Sequence, residues 1–511
     1  MKQFSLFALW LIIILTAFTG CRSSQNSSPT DEEIIKLTFL HINDVYEIGG
    51  VGGGKYGNLA RVAQLKKDLL KENPNTYLVL SGDFLNPSVL GTLKLNGKRI
   101  SGKHMVDVMN ASNIDFVTFG NHEFDLKEKE VLQRINESKF EWIASNTFYY
   151  KNEKIQPFTR NGKKLPTHII LEPKNTKGKS IKVGILGITT KYNQPDFVRY
   201  TDEYQTAKNV YQEIESKTDF SVALTHLLED EDEKLAGIVP QLRLLMGGHD
   251  HENMKFVYGK TIMAKADANA RTAYIHRLTY NTKTKKLQID SELKTIDKTI
   301  GYEPTAKAAI EKWDKIADSV FEAQGFDIKK EIYKLTETLD ARESSIRNFQ
   351  TNAGTLIVDA MADAFPNTQL AVVGSGSVRL DDQITGTITE YDILRMLPFG
   401  GKIYQITISG DILTQFLDAG TKNKGTGGYL QYQEKLKFDA QQGWLLNNKK
   451  IDKNKQYTVV TNDYNLSGKE ANMEFMNIKT NKEIKNIISS DDIKSPQSDI
   501  RKAVILYLQK L

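Results

Sequence analysis

Short apolar runs rich in branched and aromatic residues recur through the first half of the chain, and most of them end on a cluster of Asp, Asn or His. The runs occupy residues 37–42, 77–80, 116–119, 142–144, 183–188, 222–224 and 242–246, with amphipathic helical patterns such as 59–70 and 202–213 between them. This alternation predicts an α/β layer fold. The polar clusters supply Asp44, then Asp83 in Ser81-Gly82-Asp83, then Asn121, His122 and Asp125, then His226, and finally His249 and His251. Donors set just past strand C-termini converge in the crevice where open α/β sheets bind ligands. Carboxylate, imidazole and amide donors suit zinc, manganese or iron, and one central Asp can bridge two such ions.

Cys21 is the only cysteine, so an internal disulfide and a thiolate zinc site are excluded, and any metal must use His, Asp, Glu or Asn. The 511 residues allow two or three domains. A net charge of +5 with no Lys/Arg cluster gives no reason to expect a nucleic-acid partner, and nothing marks a protein partner. At the N-terminus Lys2 precedes an apolar run over residues 4–18, followed by Thr19-Gly20-Cys21. A basic start, an apolar stretch short of the roughly 20 residues a span needs and small residues before the cut read as a signal peptide over 1–20. Its ending resembles the bacterial lipobox, although Phe18 stands where that pattern prefers Leu. The resemblance implies lipidation of Cys21, a tether over 21–34, and a protein exported and anchored in the cell envelope.

The set Asp44, Gly82-Asp83, Gly120-Asn121-His122-Glu123, Thr225-His226 and Gly248-His249-Asp250-His251 resembles the calcineurin-like metallophosphoesterase signature, in order. That resemblance implies an αββα-type sandwich over 35–300 holding two divalent ions, zinc, manganese or similar. It makes Asp83 the bridging ligand. Asn121, His226 and His249 complete one site, and Asp44 with His251 contribute to the other. His122, oriented by Asp125, would be the catalytic pair. One departure stands out: where the family reads Asp-x-His, this chain reads Asp44-Val45-Tyr46. Neutral tyrosine is a poor donor, so the first site is expected to be weaker or held by fewer protein groups. His41, in the preceding strand, alternates away from the strand end and reads as structural.

A helical period over 303–324 separates the halves and reads as a connector helix within 301–330. The second half, 331–511, mixes strands (371–373, 403–408, 457–460) with helices (354–364, 411–417) as a second α/β domain. Its segments Arg342 to Gly354, Gly374-Ser-Gly-Ser-Val-Arg379, Leu397-Pro-Phe399-Gly and Asn462-Asp-Tyr464 resemble the C-terminal domain of the 5′-nucleotidase family. The likeness then covers nearly the whole mature chain. It implies substrate contacts from Arg342, Arg347 and Arg379, whose guanidinium forks suit phosphate, and from Phe399 and Tyr464, whose rings can sandwich a base. Gly374 and Gly401 stand where the family has asparagines that hydrogen-bond the nucleoside.

The expected activity is metal-dependent hydrolysis of phosphate esters, most naturally nucleoside 5′-monophosphates. A nucleotide-sugar hydrolase, a cyclic-nucleotide phosphodiesterase or a slow nucleotide-binding lipoprotein remain open. The run Gly49 to Lys55 nearly spells a phosphate-binding P-loop, but Tyr56 stands where that motif needs Ser or Thr, so it reads as a glycine loop at the cleft rim.

Overall fold

The computed structural model describes residues 33–511 apart from 381. The expected signal peptide, Cys21 and nearly all of the tether lie outside the described residues.

Two six-stranded sheets pack face to face in the first half. One runs in the order Lys286–Thr295, Thr272–Asn281, Ile34–Ile42, Thr76–Ser81, Phe116–Thr118, Glu141–Trp142. The other runs His168–Leu171, Val183–Thr189, Phe220–His226, Leu242–Gly247, Thr261–Lys265, Met254–Tyr258. Phe39, Val79 and Phe116 of the first meet Ile185, Val222, Leu224 and Leu244 of the second in a dry layer. The opposite sheet faces are also apolar. Leu40, Leu78 and Val117 are covered by helices Leu59–Glu72, Lys103–Ala111 and Glu128–Glu137, while Leu186, Ala223 and Leu245 are covered by Glu203–Ile214 and Glu229–Ile238. Strands buried on both faces read as continuous apolar runs, which is why the sequence shows them so plainly. The αββα sandwich expected from the sequence is the fold.

Parallel pairing sets the chemistry-bearing ends side by side. Ile42 lies opposite Leu80 and Ser81 opposite Thr118 in one sheet, and Thr189 opposite His226 with Thr225 opposite Gly247 in the other. All these strands therefore release their loops at one edge of the sandwich.

The connector is helix Pro304–Ala323, started by a Glu303 carboxylate that accepts from Ala306 N at 2.9 Å and by proline in its first turn. It is no free-standing spacer. Ala306, Ile310, Trp313, Ala317 and Phe321 are buried, and the helix packs on Leu59–Glu72 and Lys103–Ala111. The second half centres on a five-stranded sheet, Leu430–Tyr432, Leu370–Gly374, Gln456–Asn462, Ile403–Ser409, Lys485–Ile488, flanked by helices Asn352–Asp363, Gly410–Lys422 and Ile500–Leu508. No helix among the described residues is long and apolar enough to cross a membrane.

Candidate metal centre and active-site cavity

The loops at the shared strand edge are held in unusual backbone geometry. Asp44, Asp83, His249 and His251 all have positive φ, at 51°, 55°, 83° and 63°. Non-glycine residues adopt this region at a cost, and such strain collects at functional sites. The intervening glycines are required by close approach: a Cβ on Gly120 would stand 2.1 Å from Asp83 Oδ1, and one on Gly248 would stand 2.4 Å from Ser81 O.

The six residues expected to hold metal come together. Asp83, His226 and His249 aim donor atoms that lie within 4.8 Å of one another. His226 Nε2 lies 3.1 Å from Asp83 Oδ2, and its Nδ1 donates to Ser81 O at 2.8 Å, fixing the ring with Nε2 turned inward. Asn121 Oδ1 is buried with no hydrogen-bond partner. A buried orphan acceptor beside a carboxylate and two imidazoles fits a cation, and this donor set suits a divalent ion. Burial and the neighbouring His226 hold His249 down to about 3, leaving it as the neutral imidazole that binds metals.

On the other side of Asp83, Asp44 Oδ1 lies 3.2 Å from His251 Nε2. Tyr46 is buried in the same group, its Oη 2.9 Å from His251 Nε2, 3.3 Å from Asp83 Oδ2 and 3.4 Å from Asp44 Oδ1. His41 faces elsewhere: its Nε2 donates to Gly247 O at 3.1 Å and its ring stacks on His276.

His122 N donates to Asp83 Oδ1 at 2.7 Å, and its Nδ1 donates to Asp125 Oδ2 at 2.8 Å. Burial opposes a charge on this ring, but Asp125 and Asp83 outweigh it and lift His122 to about 10. Asp125 is in turn fixed by Asn86 Nδ2 at 2.8 Å, Asn193 Nδ2 at 2.9 Å and Arg379 Nη2 at 3.0 Å. Burial raises the Asp125 carboxyl, yet His122 and Arg379 hold it down to about 2. Beneath lies Glu123, fully buried, accepting from Asp83 N, Phe84 N, Leu85 N and Gly120 N at 3.0, 2.7, 3.1 and 2.6 Å. It ties the Asp83 turn to the Asn121–His122 turn. Asn86 and Asn193 were not singled out in the sequence, and Glu123 entered only as part of a motif, because their partners in Asp83 to Leu85 and in Asp125 lie 38 to 68 residues away in the chain.

A cavity of about 640 Å³ opens over this centre, lined by Asp83, Asn121, His122, His249 and His251 from the first half and by Arg342, Arg347 and Arg379 from the second. Arg342 bonds Asp340 and reaches across the domain boundary to Glu252 at 2.5 Å, and Arg347 pairs with Glu343.

Two family models match in succession: "Calcineurin-like phosphoesterase" over residues 37–253, and "5′-nucleotidase, C-terminal domain" over residues 331–477. The chain joins a calcineurin-like phosphoesterase domain to a 5′-nucleotidase C-terminal domain, in that order. It is accordingly a metallophosphoesterase, and its reaction class is phosphate-ester hydrolysis. It is similar to a 5′-nucleotidase of Vibrio parahaemolyticus, at 24% identity over 89% of this chain and 88% of that one. It is also similar to the trifunctional nucleotide phosphoesterase YfkN of Bacillus subtilis, at 24% identity over 79% of this chain but only 29% of that protein's length. Among solved structures, a 5′-nucleotidase precursor of Thermus thermophilus shares the fold, with TM-score 0.63, 20% identity and coverage of 93% and 96%.

Within this two-domain fold, Phe399 and Tyr464 are not among the residues lining the cavity. They are 53% and 49% exposed. The antiparallel pairing of Ile403 with Asn462 brings their two loops to one sheet end, where a Cβ on Gly401 would stand 2.8 Å from the Asp463 carboxylate. The Gly49–Gly54 loop is not at the rim of this cavity either. It folds back as the pair Gly50–Val51 and Tyr56–Gly57, and its Gly54 carbonyl accepts from Arg61 Nη1 and Nη2 at 3.2 Å. A loop offering carbonyls to arginine has the wrong polarity for a phosphate cradle.

Proposed function

We propose that this chain hydrolyses nucleoside 5′-monophosphates and closely related nucleotides. One observation carries the reading: a single cavity is lined on one side by the His/Asp/Asn cluster and on the other by three arginines. Ions held by Asp44, Asp83, Asn121, His226, His249 and His251 would polarise the phosphoryl group and supply hydroxide at neutral pH. The arginines would engage the phosphate through bidentate forks, after exchanging their present carboxylate partners. His122, with Nδ1 committed to Asp125, has Nε2 left to carry a proton to the leaving oxygen or to stabilise its charge. The exposed rings of Phe399 and Tyr464 offer a surface on which a base can stack once its phosphate is seated. Residues 4–18 and Cys21 support an exported, lipid-anchored protein facing extracytoplasmic nucleotides.

The test is the efficiency ratio of AMP to a small aryl phosphate in the wild type, Phe399→Ala and Tyr464→Ala. Loss of one stack is worth about 1–3 kcal/mol, so the ratio is expected to fall roughly tenfold to a hundredfold. A constant ratio would mean that these rings do not read the base, and would favour a general phosphatase.

A further inference from the structure

The strand Thr261–Lys265 ends on a lysine that does not line the cavity. Its side chain has 0% exposure, as does that of Asp232 on helix Glu229–Ile238. A buried ammonium persists only where its charge is paired and its donors are satisfied. Lys265 Nζ meets both conditions. It pairs with Asp232 Oδ2 at 2.9 Å and with Asp250 Oδ2 at 2.5 Å, and it donates to Leu227 O at 2.6 Å. The lysine stem crosses strand Leu242–Gly247 at its last residue. A Cβ on Gly247 would stand 2.8 Å from Lys265 Cε and 3.1 Å from Asp232 Oδ2, so the bare glycine makes room for the pair.

These partners belong to the two loops that carry three of the expected ligands. Leu227 directly follows His226, and Asp250 lies between His249 and His251. The second loop needs holding, because His249 and His251 both have positive φ. Its backbone is pinned at the ends, with Gly248 N donating to Thr225 O at 2.9 Å and Ala268 N donating to His251 O at 3.0 Å. The Asp250 carboxylate adds a link from the middle of the turn. Lys265 thus stands to the second sheet as Glu123 stands to the first. Glu123 is a buried anion that gathers N–H donors from two turns, and Lys265 is a buried cation that gathers a carbonyl and a carboxylate from two others.

We propose that Lys265, paired with Asp232 and Asp250, is a positioning residue for the metal centre, fixing the His226 loop against the His249–His251 turn. Asp250 supplies the link to the turn. Asp232 supplies a counter-charge on the far side, which keeps the ammonium compensated in the interior. The effect reaches the three imidazoles through the loop backbone. This inference rests on the metal-dependent reading of the site and assigns what holds three of its ligands in place.

Lys265→Met would leave two carboxylates without a counter-ion in the interior and is expected to damage folding, so the link is cut at Asp250 instead. Asp250→Ala leaves Lys265 paired with Asp232 and bonded to Leu227 O. The zinc affinity of the metal-stripped full chain is measured by competition with a chromogenic chelator, beside the denaturation midpoint of the metal-free protein. Asp250→Ala is expected to weaken zinc binding about 10–100-fold, the usual effect of losing a group that orients ligands. Asp250→Asn, which keeps an oxygen acceptor for the lysine, should recover most of that loss. Asp232→Asn leaves the link to the turn intact, so it should lower the midpoint yet bind zinc nearly as wild type does. Wild-type zinc affinity in Asp250→Ala overturns the proposal, since the ion pairs would then serve stability alone. An equal loss of affinity in Asp232→Asn overturns it too. No substrate enters this measurement. Tight zinc binding that is indifferent to Asp250 removes only the Lys265 assignment, whereas zinc-loaded wild type that fails to hydrolyse AMP removes the nucleotidase reading and leaves the assignment to the affinities.

Discussion

Arg379 Nη2 lies 3.0 Å from Asp125 Oδ2, the same carboxylate oxygen that accepts from His122 Nδ1 at 2.8 Å. A residue of the second domain thus touches the carboxylate that orients His122, the histidine proposed above for catalysis. Arg379→Ala removes this charged hydrogen bond together with a guanidinium from the cavity wall. A charge-assisted bond of about 1.5–3 kcal/mol predicts a loss of roughly tenfold to a hundredfold in kcat/KM. Arg379→Lys should recover only part of it, because an ammonium cannot fork between two oxygens. Steady-state kinetics on AMP decide this, and an unchanged kcat/KM would show that the contact is incidental.

Asp83 presents Oδ2 to His226 at 3.1 Å and to Tyr46 Oη at 3.3 Å, while Oδ1 accepts from His122 N. Asp83→Asn weakens both parts of the centre at once. Since loss of a mere supporting partner commonly lowers metal affinity or activity about 10–100-fold, this change should exceed a hundredfold in activity. Elemental analysis should show fewer ions per chain. Full metal content with full activity would contradict the shared-ligand reading.

Glu123 is expected to act on stability as well as activity. Glu123→Gln turns an NH₂ group toward backbone N–H donors that now share a carboxylate. Leaving one or two buried donors unpaired should cost about 2–4 kcal/mol. A chemical-denaturation midpoint measures it; a midpoint equal to wild type would mean that the two turns hold without this carboxylate.

Acid should destabilise the fold before it reaches the carboxylate range. Burial, with Arg134 nearby, holds His104 down to about 3, and its Nε2 shares a 3.0 Å hydrogen bond with Ser88 Oγ. A histidine depressed in the fold stays neutral there while the unfolded chain takes up a proton below about 6.5. Its contribution is therefore complete above that pH and is lost as pH falls toward about 3. One such group gives a slope of up to about 1.4 kcal/mol per pH unit. Denaturation midpoints between pH 7 and 4 should fall more steeply in wild type than in His104→Gln. Equal slopes would show that His104 does not carry the effect.

Most of the centre was legible in the sequence because its residues follow strand ends. A strand buried on both faces is a dense apolar run, and the first polar residues after it mark the sheet edge: Asp44, Asp83, Asn121, His226 and His249 all stand out this way. The hairpin Thr272–Asn281 and Lys286–Thr295 was not read, since its outer strand alternates and is largely exposed, as in Lys286-Leu-Gln-Ile-Asp. Glu123 lay inside a recognised motif, but its four backbone donors come from two turns that only the fold brings together. Tyr46 was seen as a departure, and only the fold shows its hydroxyl set among Asp44, Asp83 and His251. Phe399 and Tyr464 were read as a pair, and the sheet does set their loops at one end, but outside the cavity that holds the arginines.

Phosphate release from AMP by the purified chain, before and after metal stripping and again after metal is restored, tests the central claim most directly. The expected result is turnover that disappears with chelation and returns with manganese, zinc or iron. Undiminished AMP hydrolysis by protein shown to be metal-free would contradict it.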